Sequence, residues 1–224
     1  MIHPDTELRF ISPEIGYGVV AKKFIPKGTI TWALDEFDRE FTPKQAHEMD
    51  KTYQDILEFF SFRNNQGNYV LCWDNARFVN HSFNSNCLTT AYDFEIAIRD
   101  IQAGEQLTDD YGYLNISEPF RGVDEGTKRK VVYPDDLVRY APVWDKKLIS
   151  GIRRLTSVDQ PLKKFVKASV LKKIDKIING ESAMDSILSC YYNQTNGNSL
   201  SSHDGGNGVA VHHTQNGNGV HVKR

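Results

Sequence analysis

The stretch from Arg77 to Tyr113 constrains this chain more than any other. It opens Arg77-Phe78-Val79-Asn80-His81-Ser82 and closes Gly104-Glu105-Gln106-Leu107-Thr108-Asp109-Asp110-Tyr111-Gly112-Tyr113. The opening sets Asn, His and Ser directly behind an apolar pair. Those side chains carry donors and acceptors without net charge, which suits a grip on a polar ligand at close quarters. The closing part is a turn, Ala103-Gly104-Glu105, followed by a strand-like run that ends in tyrosine. Strand alternation predicts Leu107, Asp109 and Tyr111 on one face, with Thr108 and Asp110 on the other. Between the two parts, Leu88 to Ala91 and Glu95 to Arg99 read as strands split by Tyr92-Asp93-Phe94.

The flanking sequence supplies the rest of a β-rich α+β domain. Residues 8–31 read as short strands broken by turns, among them Gly16-Tyr17-Gly18. Glycines there let backbone approach a ligand, since no Cβ intervenes, although a plain turn entering a strand reads the same way. It is not the dinucleotide fingerprint, because no third glycine opens a helix. Residues 43–62 are expected to be helical, with Thr42 as N-cap and Pro43 at the first position. Tyr53, Ile56, Leu57 and Phe60 then recur at helical spacing. Tyr69 to Trp73 reads as a buried strand with Cys72 as a small core residue. Short strands around one main helix exclude a βαβ sandwich.

Beyond Gly112 the pattern changes. Residues 114–144 read as irregular and rich in Tyr, Pro and charge, and residues 161–178 as an amphipathic helix, with a second short helix from Ala183 to Tyr192. From Gln194 the chain is Asn, Gly, Ser and His with scattered valines, a composition expected to stay disordered. Over all 224 residues the net charge is only -2, but it is unevenly spread. Residues 1–119 carry 10 basic and 19 acidic side chains, a balance of -9, and residues 120–180 carry 15 and 7, a balance of +8. An acidic front half suits a basic, lysine-bearing partner. The basic face of the later helix can meet nucleic acid, but no aromatic interleaving accompanies it, so a solvated face is the preferred reading. Three cysteines, Cys72, Cys87 and Cys190, are too scattered for a disulfide framework or zinc cluster and fit a reducing, cytoplasmic setting. No apolar run approaches the roughly 18 residues of a membrane span, and Met1-Ile2-His3-Pro4-Asp5 does not begin like a signal peptide.

Arg-Phe-x-Asn-His-Ser, followed some two dozen residues later by Gly-Glu-x-Leu-Thr-x-Asp-Tyr-Gly, resembles the paired signature of the SET-domain lysine methyltransferases. The likeness covers about residues 8 to 113, with a helical insert at 43–62, an aromatic and helical extension at 114–192 and a tail at 193–224. It implies a knotted arrangement of small sheets and a methyl transfer from S-adenosylmethionine to a lysine ε-amine in a protein substrate. The alternative it leaves is a SET fold used as a binding or scaffold module without turnover.

Carried over residue by residue, the resemblance places Gly16, Tyr17, Gly18, Arg77, Asn80 and His81 at the S-adenosylmethionine site and Tyr111 at the catalytic tyrosine. Leu107, Asp109 and Tyr113 would face the substrate pocket. Two departures stand out. Phe83 follows Asn-His-Ser where many members have a zinc-binding cysteine, so no metal is expected, and Tyr133, Tyr140 and Trp144 become candidates to close the cofactor pocket. Asp109 occupies a place usually held by Phe or Tyr, where the residue helps set how many methyl groups are added. The pattern is closest to small stand-alone members of the bacterial type.

Overall fold

A computed structural model describes residues 1–193. Among the described residues twelve short strands make five small sheets. They are β1 (Thr6–Ser12), β2 (Gly16–Ala21), β3 (Ile30–Ala33), β4 (Arg39–Phe41), β5 (Ser61–Arg63), β6 (Tyr69–Leu71), β7 (Asn80–His81), β8 (Cys87–Thr89), β9 (Phe94–Ala97), β10 (Thr108–Asp109), β11 (Phe120–Arg121) and β12 (Val131–Val132). The helices are α1 (Pro43–Glu48), α2 (Lys51–Phe60), α3 (Asp136–Ile152) and α4 (Ala168–Ile178). β1 pairs with β2, the other sheets run β4-β6-β5, β3-β9-β8 and β11-β12, and all of these pairings are antiparallel. β7 and β10 pair in parallel, Asn80 beside Thr108 and His81 beside Asp109. That single ladder brings the two halves of the Arg77–Tyr113 stretch together.

Local chemistry explains most boundaries. Thr42 caps α1 with a full capping box: its hydroxyl accepts from Gln45 N–H at 3.2 Å while Gln45 Oε1 accepts from Thr42 N–H at 2.9 Å. The expected single helix over 43–62 is two, because Asp50 starts a second one by accepting from Thr52 N–H at 2.9 Å. The segment expected to be irregular, 114–144, instead runs through the β11–β12 hairpin into α3. α3 tolerates Pro142 because Leu137, Ala141, Trp144, Leu148 and Ile152 bury one continuous stripe. α4 begins at Ala168 and not at 161. Leu162 enters the core from a 3-10 turn, Lys163–Phe165, and Val166 and Lys167 are extended, so tertiary packing overrides the helical period. The helix expected over 183–192 is a 3-10 turn, Ile187–Cys190, held by Asp145 of α3 through Ser186 Oγ at 2.6 Å and Ile187 N–H at 2.9 Å.

The larger core joins both parts of the chain. Ile30, Leu88, Phe94, Ile96 and Tyr113 pack with Leu137, Trp144, Leu148, Ile152, Ile174 and Ile187. The Tyr113 ring stands edge-on to Trp144 at 5.5 Å. A smaller core under β2 holds Val19, Ile25, Val79, Cys87, Ile101 and Leu107. Among the described residues no helix is long and apolar enough to cross a membrane. The tail expected to be disordered lies outside the described residues except for Asn193.

Candidate active site

Two cavities meet at Tyr111. The broader one, about 410 Å³, is lined by Ile15, Asn80, His81, Asn86, Gln106 and Thr108, and across from them by the loop Phe120–Val123 with Glu125 and Thr127. The narrower one, about 100 Å³, is walled by Trp32, Phe59, Phe60, Phe62 and Tyr69, with Cys72, Arg77, Val79, Glu95 and Asp109. Tyr111 lines both.

The β7–β10 ladder places the polar side chains. The Asn80 side-chain amide donates to Tyr17 carbonyl at 3.1 Å and to Gln106 Oε1 at 3.0 Å, tying the first turn to the closing motif. A Cβ on Gly18 would lie 2.5 Å from Gln106 Oε1 and 2.6 Å from Asn80 Nδ2. That glycine therefore serves this amide pair. Asn86 is fully buried and binds Gln106 carbonyl at 2.7 Å and, through Oδ1, Thr108 N–H at 2.9 Å. Ser82 Oγ and Phe83 N–H both donate to Glu125 at 3.0 Å, which fastens the far wall to the motif.

His81 lies among the rings of Phe83, Tyr111 and Phe120, with centroids 4.4, 5.4 and 5.2 Å away. Its Nδ1 accepts from Tyr111 N–H at 3.2 Å, so the proton of the neutral ring sits on Nε2. Burial lowers its pKa to about 4, and Nε2 is buried without a partner. An orphaned donor at the edge of a polar cavity of this size is what a nucleoside-sized ligand would satisfy. On that ground the lining fits S-adenosylmethionine.

Tyr111 does not continue a strand. β10 stops at Asp109, and Tyr111–Tyr113 is a 3-10 turn capped by Asp110, which accepts from Gly112 N–H at 3.0 Å. The turn still delivers Asp109 and Tyr111 to one cavity. The Tyr111 hydroxyl donates to Val79 carbonyl at 2.7 Å, and burial raises its pKa above the ordinary phenol value. It is a neutral, oriented dipole, not a base.

The remaining expected residues fall elsewhere. Leu107 is 0% exposed inside the smaller core and lines neither cavity. The Tyr113 ring belongs to the larger core, lines neither cavity, and its hydroxyl donates to Cys87 carbonyl at 3.5 Å. Arg77 lines the narrow cavity, with Nη1 on Trp73 carbonyl at 3.1 Å, and so sits away from Asn80 and His81. Gly16 and Tyr17 border an apolar groove with Phe10, Phe59, Phe60 and Phe78. Tyr140 and Trp144 do not close the broad cavity.

Those two rings instead flank Arg129, whose guanidinium lies 4.6 Å from the Tyr140 ring centre, 6.0 Å from that of Trp144 and 5.1 Å from that of Phe83. The same guanidinium bridges Asp110 and Asp136. The broad cavity is closed by Phe120–Thr127, where Gly122 is obligatory: a Cβ would meet Phe83 Cε2 at 2.7 Å and His81 Cδ2 at 3.0 Å. Among the described residues no cluster of His, Cys, Asp or Glu can hold a metal ion.

Glu95, Glu125 and Arg129 were missed by sequence reasoning. Only the chemistry of a charged residue between buried neighbours, Phe94-Glu95-Ile96, offered a signal.

No curated protein matches the chain. Residues 16–112 match the SET domain family, a span that begins at the first turn and ends beside Tyr111. Over that span the chain is similar to SET domains.

Proposed function

We propose that the protein is an S-adenosylmethionine-dependent protein-lysine N-methyltransferase. The observation that carries this reading is the meeting of a broad polar cavity and a narrow aromatic one at a single tyrosine. SET domains are generally methyltransferase domains, which agrees with it. The family's knotted path goes with the same reading.

Asn80, the His81 Nε2–H and the Glu125-anchored wall would hold the cofactor, which when bound supplies a sulfonium methyl group. The narrow cavity admits an unbranched side chain and excludes water around it. Aromatic walls stabilise a cation by their quadrupoles and, once it is neutral, by dispersion. The Tyr111 hydroxyl and the Val79 carbonyl mark the junction at which the amine nitrogen must lie. Transfer requires a neutral amine aligned with the methyl group, and alignment alone supplies a large share of such accelerations. A protein that presents an exposed lysine is the partner, and the acidic front half favours a basic sequence around it.

Incubation of the purified protein with isotope-labelled cofactor and a cell lysate, followed by mapping of labelled residues, tests this. Label on lysine side chains is expected. Calorimetric binding of the cofactor with no label transferred to any residue would favour a non-catalytic module.

A further inference from the structure

Two carboxyl groups stand in the narrow cavity where an aromatic wall would suffice. Asp109 is 6% exposed, and its Oδ1 is buried with no partner although the residue lines the cavity. Glu95 lines the same cavity from β9, where its ladder neighbours are Trp32 of β3 and Thr89 of β8. Glu95 also lines a second cavity of about 440 Å³ on the other side, with Asp35, Asp38, Glu40, Asp93 and Lys167. Trp32, Phe62, Arg63 and Leu114 border both spaces, so Glu95 stands in the partition between them.

We propose that the Glu95–Asp109 pair is the proton acceptor for the substrate amine and delivers that proton to solvent through the second cavity. This rests on the lysine-methyltransferase reading and adds the step that reading leaves open. A lysine enters as an ammonium ion, since its ordinary pKa is near 10.4. One N–H bond breaks and its proton binds the pair, leaving a neutral amine with a free lone pair. The amine nitrogen bonds the methyl carbon as the carbon–sulfur bond breaks, its electron pair staying on sulfur. The pair then releases the proton from Glu95 to water in the second cavity and is reset.

The surroundings favour a pair that holds one proton and one negative charge. Burial raises both acids above the ordinary carboxyl range, Glu95 the further. The groups facing them are the Tyr113 hydroxyl, Asp110, Tyr111, Cys87 of β8, Cys72 after β6, and the more distant α-amino group of Met1. Arg63 of β5, Arg77 and Glu58 share the narrow lining, and Asp35, Asp38, Glu40, Asp93 and Lys167 that of the second cavity. Arg129 is committed to Asp110 and Asp136.

The sign of a pH shift separates this role from passive attraction. A charge that only attracts the ammonium opposes its deprotonation, so its removal would move the acid limb of the rate profile to lower pH. Removal of a proton acceptor moves that limb up, toward the ordinary lysine value. Single-turnover rates on a pool of short lysine-containing peptides are therefore measured against pH for wild type, Glu95→Gln and Asp109→Asn. Both variants should move the limb upward by at least about one pH unit and lose about 10²-fold at pH 7.5, the scale of general base catalysis. Cofactor affinity by calorimetry should stay within about twofold, which also reports that the variants are folded. A second readout needs no turnover. NMR titration of carboxyl carbons in the cofactor-free protein should show one carboxyl still protonated at neutral pH, lost in Glu95→Gln. A limb that moves down or stays put, or a pair fully ionised at neutral pH, overturns the proposal. Failure of the wild-type protein to methylate any lysine overturns the underlying reading, and this proposal with it.

Discussion

Replacing Arg129 by methionine should cost about 4 kcal/mol at pH 8 and clearly less at pH 5. The Arg129 side chain is 17% exposed, and its guanidinium bridges Asp110 and Asp136, which are 3% and 1% exposed. Removing one partner of a buried ion pair costs roughly 3–5 kcal/mol, because the other charge stays buried without compensation. Here two carboxylates are stranded, and loss of the contacts with Tyr140 and Phe83 adds about 0.5–1 kcal/mol. Methionine preserves most of the packing, so charge dominates the difference.

The pH dependence follows from the same geometry. Burial already raises the Asp110 pKa despite the arginine beside it. Without that arginine the pKa rises further in the folded state, while in the unfolded chain it stays near 3.9. The folded variant thus takes up a proton that the unfolded chain does not, and regains stability as pH falls through the raised value. Each pH unit by which the carboxyl rises is worth about 1.4 kcal/mol, so recovery between pH 8 and pH 5 should be roughly 2 kcal/mol. Urea unfolding followed by Trp fluorescence, for both proteins at both pH values, measures it. A loss under about 1 kcal/mol at pH 8, or an equal loss at the two values, would refute the reasoning.

Other outcomes are expected at the site. Tyr111→Phe should lower kcat by about 10²-fold with cofactor affinity nearly unchanged, since alignment appears in turnover more than in binding; full activity would remove Tyr111 from the mechanism. Asn80→Ala should weaken cofactor binding and also cost about 1–2 kcal/mol of stability, because its amide holds both Tyr17 and Gln106; unchanged affinity in calorimetry would make it purely structural. Chelators should leave turnover intact, given Phe83 in place of a cysteine and Arg129 anchoring the extension. Near-stoichiometric zinc by elemental analysis would contradict that.

The site was legible in sequence where its parts are local. Asn80, His81, Asp109 and Tyr111 sit together because one two-residue ladder joins two short motifs. The capping box at Thr42 and Gln45 was equally readable, since it spans three residues. Parts made by distant segments were not. Arg129 is unremarkable in a basic stretch until Asp110 and Asp136 close on it. Glu95 alternates with buried Phe94 and Ile96, so period two assigns it to the solvent face, yet that face is roofed by Asp109 and the cavity wall. α3 was hidden by Pro134 and Pro142, although its apolar stripe at 137, 141, 144, 148 and 152 was present.

The shared core also sets when the candidate site can be completed as the chain is made. The Tyr111 turn waits for Arg129, because Asp110 is otherwise buried without its partner. Just beyond it, Asn115 donates to Arg63 carbonyl at 2.9 Å and to Cys190 carbonyl at 2.8 Å. Tyr92 likewise waits for Asp185, whose N–H donates to its hydroxyl at 2.8 Å. A nascent chain that has emerged only as far as Tyr113 carries both motifs but leaves the apolar face of β3-β9-β8 without its helices. Exposed apolar surface of that kind is what makes partly folded chains prone to aggregate. Completion of the candidate site therefore requires that residues near 190 have cleared the exit tunnel.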